Sequence, residues 1–176
     1  MTDKEKSRLE FARNSVSRVG QIIIEGRHNI DESASIGADG FGWCRDEDGK
    51  LVKVNHAGGV KIGKDVEIRA FVTVDRATLE GNFTEIGDGV KIDHHCHLAH
   101  NVKIGKHNTL ADGCIIEGSC EVGDFNTFGA GVNMQRKTKI GNNNVIGSGA
   151  VITKDFGDNL VIVGNPARVL KENFKP

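Results

Sequence analysis

The sequence predicts an all-β chain wound as a parallel β-helix, on three observations. Apolar residues recur every six positions. A small or branched residue stands two places before most of them. Glycine is plentiful at 23 of 176 residues, about twice its ordinary share, while proline occurs only twice. Stepping by six from Ile62 meets Ile68, Val74, Glu80, Ile86, Ile92, Leu98, Ile104, Leu110, Ile116, Val122, Phe128, Met134, Ile140, Ile146 and Ile152. Fifteen of these sixteen are apolar, where a hydrophobic content of 38% would give about six. The companions two places earlier include Val66, Val72, Val90, Cys96, Val102, Cys114, Cys120, Val132 and Ala150. Side chains at spacing two share one side of a strand, so each hexad reads as an inward pair followed by a corner. Three hexads close a triangular coil of 18 residues, and residues 18 apart stack.

The elements follow in order. Residues 3–18 (DKEKSRLEFARNSVSR) have helix-forming composition and no hexads, so residues 1–22 are expected to form a helical segment. The β-helix domain is expected over 23–160. Ile24, Ile30 and Ile36 share the period in a different phase, and the 26 residues from Ile36 to Ile62 are not a multiple of six. The intervening WCRDEDGKLVKVNHAGG holds a D-G turn between two strand-like runs, so a hairpin loop is expected at about 42–59. Residues 161–176 are expected to form a tail, with a short helix over 165–175 opened by Pro166.

Lys+Arg 23 against Asp+Glu 24 gives a net charge of −1, which argues against nucleic acid or an anionic membrane as the main partner. No run of 18 apolar residues exists to cross a bilayer. The charged start MTDKEKSRLEF lacks the apolar run of a secretion signal, so a cytoplasmic location is expected. The four cysteines form no C-x-x-C pair and are expected as thiols. Cys96, Cys114 and Cys120 fill inward slots and need no chemistry; Cys44 lies in the inserted loop and has no such explanation.

Four of the seven histidines, His94, His95, His97 and His100, fall in IDHHCHLAHNVKIG, and none takes an inward slot. His100 sits one residue past a corner. By 18-residue stacking, Gly118 lies one coil above it and Asn82 one coil below, inside ATLEGNF, where Glu80 breaks the repeat. A glycine stacked on a histidine leaves a backbone N–H unshielded. Acyl transfer needs such a pair: a general base for the nucleophile and a fixed N–H for the tetrahedral oxyanion. Asp93, one corner earlier, is a candidate to orient the imidazole. A competing reading gives His95 and His100 to zinc with His56 or His97, as in hexapeptide-repeat carbonic anhydrases. In those the first ligand lies two coils earlier, and that position is Gly59 here, so no metal is expected.

The stretches IGADGFGW, GGVKIGKDVEIRAFVTVDRATL and IGDGVKIDHHCHLAHNVKIG resemble the UDP-3-O-acylglucosamine N-acyltransferase family over about residues 34–125. The resemblance implies a left-handed β-helix and a homotrimer. It also implies His100 as general base, Gly118 as oxyanion donor and Asp93 as its carboxylate partner. The family's second histidine falls at Lys137. The end of the chain, NNNVIGSGAVITKDFGDNLVIVGNPARVLK, instead resembles acetyl-CoA-dependent sugar acetyltransferases. That implies acetyl-CoA as co-substrate, lined by Lys154, Asn165, Pro166 and Arg168, and Lys137, in the place of the donor-contacting second histidine, is the further candidate on this co-substrate. The expected acceptor is a nucleotide-linked amino sugar, attacked through an amine or hydroxyl, with Asp39, Phe41, Trp43 and Asn82 as its candidate contacts. The alternatives are a donor carried on acyl carrier protein, the zinc enzyme, and a non-catalytic scaffold of the same coils.

Overall fold

The structure is a computed structural model that describes residues 2–14 and 20–174. It is a left-handed parallel β-helix with three sheet faces. The first face stacks Ile22–Ile24, Gly59–Ile62, Phe83–Ile86, Lys103–Ile104, Glu121–Val122 and Lys139–Ile140. The second begins at His28–Ile30 and runs through Val66–Ile68 to Val145–Ile146 and Leu160–Val163. The third runs from Ser35–Ala38 through Thr73–Asp75, His97–Leu98, Ile115–Ile116 and Asn133–Met134 to Val151–Ile152.

The hexads work as read. All fifteen apolar anchors are at most 5% exposed, and Phe128 and Met134 are among the largest fully buried side chains. Cys96, Cys114 and Cys120 are buried free thiols within this core. The corners turn through left-handed backbone, at His107 (φ 54°) and Asn143 (φ 54°) for example, and at Gly113 (φ 70°) where glycine meets no Cβ penalty. Buried Asn108, Asn126 and Asn144 stack as a ladder, each side-chain oxygen accepting the backbone N–H of the next turn at 2.8–2.9 Å. These bonds satisfy backbone donors at a corner that the sheets leave unpaired.

Two coils depart from plain 18-residue stacking. Ile24 pairs with Ile62 and Ile36 with Val74, 38 apart, because the hairpin is inserted there. Its strands Trp43–Arg45 and Leu51–Lys53 pair antiparallel, with Trp43 opposite Lys53 and Arg45 opposite Leu51. The second departure escapes the periodicity. Ile62 pairs with Ile86 and Val74 with Leu98, 24 apart, so the corner between Asp75 and Phe83 holds six residues more than a plain coil. A six-residue insertion leaves the phase of a hexad count unchanged. Glu80 lies exposed in that loop, and this is why the anchor there is polar. Asn82 is correspondingly not the residue beneath His100: counting back from Leu98 over Val74, the coil below presents Asp75 and Arg76.

The helix Asp3–Asn14 buries Leu9 and Ala12. The expectation of helix to residue 18 falls on 15–19, which lie outside the described residues. The C-terminal helix is corrected. Residues 164–167 form a turn, and Arg168–Glu172 is a strand antiparallel to Leu160–Val163. The last coil would otherwise offer an open edge, and pairing that edge outweighs the weak helix signal of a proline at a first position. Residue 175 lies outside the described residues.

Candidate active site

His100 is placed where the chain leaves the third face. It follows Ala99, whose N–H bonds the Ile116 carbonyl at 2.9 Å. Asn101 is in the left-handed region (φ 62°), a conformation that asparagine tolerates. Its Oδ1 accepts from Thr78 Oγ1 at 2.7 Å, Thr78 N–H at 3.1 Å and His100 Nδ1 at 3.0 Å. Two donors from Thr78 orient the amide, so its oxygen favours the imidazole proton on Nδ1, where Thr78 Oγ1 also lies at 3.3 Å, and Nε2 then carries the lone pair, with no hydrogen bond among the described residues. That is the tautomer a general base requires.

Nε2 lies against Gly118. A Cβ built at Gly118 would come within 2.7 Å of both His100 Cε1 and Nε2. The Gly118 N–H makes no hydrogen bond among the described residues. The predicted stacking of His100 and Gly118 is thus what the fold produces, because Leu98 and Ile116 are in plain 18-residue register.

Asp93 is not brought to His100. It lies at the preceding corner, where its Oδ1 takes the His94 N–H at 2.9 Å and faces His94 Nδ1 at 2.7 Å. The His94 backbone bond holds its carboxyl below the usual carboxylate range. The carboxylate near His100 is Asp75, 7% exposed, whose Oδ2 lies 3.8 Å from His97 Nε2. Burial raises its pKa, and the imidazoles of His97 and His100 offset part of that rise.

His56 also reaches the site, although 44 positions separate it from His100. The hairpin returns it so that the two rings meet at 5.2 Å between centroids and 61°. His56 is 1% exposed, and Nδ1 lies 3.1 Å from the Val54 carbonyl, which it reaches as donor. Burial first, and His100 second, lower its pKa, so it remains neutral at cellular pH. Gly40 and Gly42 pack on this ring because a Cβ at either would meet it, at 2.8 Å from Nε2 and 3.1 Å from Cε1 respectively. The sequence named His56 only as a candidate zinc ligand and gave no signal for Asp75, Thr78 or Asn101; only the two insertions deliver the first three.

The remaining candidates fall into three groups. Asp39 joins the hairpin root to the six-residue loop, bonding Lys53 Nζ at 3.0 Å and Arg76 Nε at 2.8 Å. Those two bonds outweigh burial and keep its carboxyl below the ordinary range. Phe41 (93% exposed) and Trp43 stand further out on the hairpin, edge to face at 6.3 Å. Asn82 is exposed, and its backbone closes the loop and ties it to the first face, donating to Leu79 at 3.1 Å and accepting from Gly59 at 2.9 Å. Of the residues expected to contact the acyl donor, Lys154 lies in the column of His100 and Gly118, with Arg136, unnoticed in the sequence, between Gly118 and itself. Lys137 donates its N–H to the Gly118 carbonyl at 3.1 Å. Lys154 Nζ sits 5.6 Å over the Phe156 ring. Asn165 and Pro166 belong to the turn stitched to Val151, and Arg168 points back to the Pro166 and Ala167 carbonyls at 3.2 and 3.1 Å. His95 stacks on Phe71 at 5.4 Å at a different corner from His100, and no group of three metal-ligating residues exists among the described residues.

Comparisons with known proteins bear on the repeat and the fold. The bacterial transferase hexapeptide model, with six repeats, matches residues 83–118 and 119–154. UDP-3-O-acylglucosamine N-acyltransferase of Coxiella burnetii is 50% identical over 99 residues, covering 56% of this chain and 28% of the relative. The chain therefore spans about a quarter of the length of the curated relatives it matches. LpxA from Acinetobacter baumannii superimposes with a TM-score of 0.75 at 25% identity, over 86% of this chain and 56% of that one. GDP-perosamine N-acetyl transferase from Caulobacter crescentus, solved as a point mutant in complex with CoA and GDP-perosamine, shares the fold at a TM-score of 0.62 and 20% identity, over 82% and 57%. Repeat, register and relatives converge: the chain is a hexapeptide-repeat left-handed β-helix of the kind that bacterial acyltransferases use, and it resembles UDP-3-O-acylglucosamine N-acyltransferase.

Proposed function

We propose that the chain transfers an acyl group from a thioester to the amine of a nucleotide-linked sugar, with His100 as general base. The observation that carries this is the base-and-glycine pair: a bare His100 Nε2 against Gly118, with Asn101 fixing the tautomer. As the nucleophile attacks, Nε2 takes its proton, the Gly118 N–H faces the developing oxyanion, and the proton passes on to the leaving sulfur. The relatives named as N-acyltransferases support an amine acceptor.

The donor is proposed to be acetyl-CoA. Arg136, Lys137 and Lys154 follow Gly118 up the same corner, a row of cations that suits the phosphates of a CoA chain. A donor on acyl carrier protein is the second reading, supported by the 50% identity to UDP-3-O-acylglucosamine N-acyltransferase.

The assembly is proposed to be a homotrimer meeting along the third face. Its outward row, Ser35, Thr73, His97, Ile115, Asn133 and Val151, is free of carboxylates and lysines, and the Asn133 Oδ1 is buried without a partner among the described residues. The first face carries Lys61, Glu85, Lys103, Glu121 and Lys139 instead, a ladder of alternating charge suited to water.

The test is thiol release from acetyl-CoA, or from an acylated carrier protein, with UDP-linked amino sugars. His100→Ala should lower turnover roughly 10²–10⁴-fold, with thioester binding unchanged. Turnover retained in His100→Ala, or lost in His95→Ala alone, would overturn the assignment.

A further inference from the structure

We propose that Asp75 holds the acceptor nitrogen beside His100: its carboxylate receives one N–H of the attacking amine while His100 Nε2 receives the other. This rests on the acyl-transfer reading above and assigns a residue to its acceptor side.

Asp75 ends the strand Thr73–Asp75 and is 7% exposed, yet neither of its oxygens makes a hydrogen bond among the described residues. The His97 ring is oriented by Thr73 Oγ1, 2.7 Å from Nδ1, and its Nε2 stays 3.8 Å away, beyond hydrogen-bond reach. Arg76, the next residue, turns to Asp39, as does Lys53. Its oxygens are not sealed in the fold, since Asn133 Oδ1 and not Asp75 is the buried unpartnered acceptor among the described residues. The carboxylate is therefore open to a donor that arrives from outside the chain.

The position of the carboxylate is marked by its approach to Gly40. A Cβ there would lie 2.8 Å from His56 Nε2, 3.1 Å from Asp75 Oδ2 and 3.3 Å from His100 Cδ2. Three groups therefore converge on one point, on the flank of His100 adjacent to Nε2. His56 brings an acceptor there as well, because its Nδ1 proton faces Val54. The corner is rich in acceptors and poor in donors, which suits a ligand that carries several N–H groups.

An amine has two hydrogens and one lone pair. With one hydrogen on Asp75 and one on His100, the lone pair is left to face the thioester carbon. The C–N bond forms as His100 takes its hydrogen; the C–S bond breaks; His100 returns the proton to the sulfur. The products are an amide, whose remaining N–H still faces Asp75, and a free thiol. A hydroxyl has one hydrogen and cannot serve both acceptors, so the pair selects for an amine.

The test compares wild type, Asp75→Asn and Asp75→Glu with UDP-3-O-acylglucosamine as the amine probe. Asp75→Asn is isosteric but turns an N–H toward the amine. It should raise the acceptor KM about 10- to 100-fold, the usual scale for a hydrogen bond to a charged group, and leave the thioester KM within twofold. Asp75→Glu should recover part of the loss. An unchanged acceptor KM in Asp75→Asn, or an equal rise in both KM values, overturns the proposal. A calorimetric arm needs no turnover: Asp75→Asn should weaken binding of the amine probe and spare UDP, which carries no amine. Equal effects on both ligands overturn the proposal too. Wild type without turnover for any amine would instead sink the acyl-transfer reading, so the two failures are distinguishable.

Discussion

Replacing Gly118 with alanine should disable the site through the base rather than through the fold. The new Cβ would fall 2.7 Å from His100 Cε1 and Nε2. Ordinary non-bonded contacts of this kind lie at about 3.5–4.0 Å, so the ring must withdraw by about 1 Å. It cannot do so freely. Its Nδ1 is tied to Asn101 at 3.0 Å, and the His56 ring stands behind it at 5.2 Å. A misplacement of about 1 Å at a reacting group can cost on the order of 10² in rate. Overpacking should cost about 1–3 kcal/mol, a drop in Tm of roughly 2–12 °C for a chain of this size. The assay is thiol release with saturating thioester and sugar, beside a thermal melt. Two controls isolate the cause. Gly157→Ala, where a Cβ meets nothing within 4 Å, should leave both readouts alone. In the double variant with His100→Ala the clash is gone, so stability should return and turnover should fall no further than in His100→Ala. Wild-type turnover in Gly118→Ala, or full multiplication of the two losses in the double variant, would refute the reasoning.

The same site yields two further expectations. Asn101→Ala removes the acceptor that holds the His100 tautomer and should lower turnover roughly 10–10²-fold, less than loss of the base itself. Asn101→Asp keeps the acceptor, adds charge, and should move the acid limb of the pH–rate profile upward. An unmoved limb with full activity would remove Asn101 from the mechanism. His56 has its folded pKa depressed, first by burial and then by His100, so the fold prefers its neutral ring. That contribution is present above the unfolded pKa of about 6.5 and is lost as pH falls below it. Wild type should therefore lose more Tm between pH 7.5 and 5.5 than His56→Gln does, and parallel pH slopes for the two proteins would contradict the burial argument.

The coils could be read from the sequence because a β-helix is a local object. Each hexad declares its own inward pair, and the fifteen buried anchors follow from spacing alone. The hairpin was legible for a related reason, since its insertion shifts the phase between Ile36 and Ile62. The stacking of Gly118 on His100 needed only coil arithmetic, which holds wherever no residues are inserted. The tertiary structure decided what that arithmetic could not reach. The loop before Phe83 is as long as one hexad, so it hides in the count, displaces Asn82, and brings Asp75 and Thr78 beneath His100. His56 arrives through a hairpin whose strand lengths the sequence suggests but whose return path only packing on Gly40 and Gly42 determines. Asp93 fits an orienting role by spacing, yet a triangular coil puts it at another corner, where the adjacent His94 takes its carboxylate. At the C-terminal end, local propensity favoured a helix after Pro166, but the open edge of Leu160–Val163 was available, and backbone pairing across it carried more free energy than weak helix propensity could oppose.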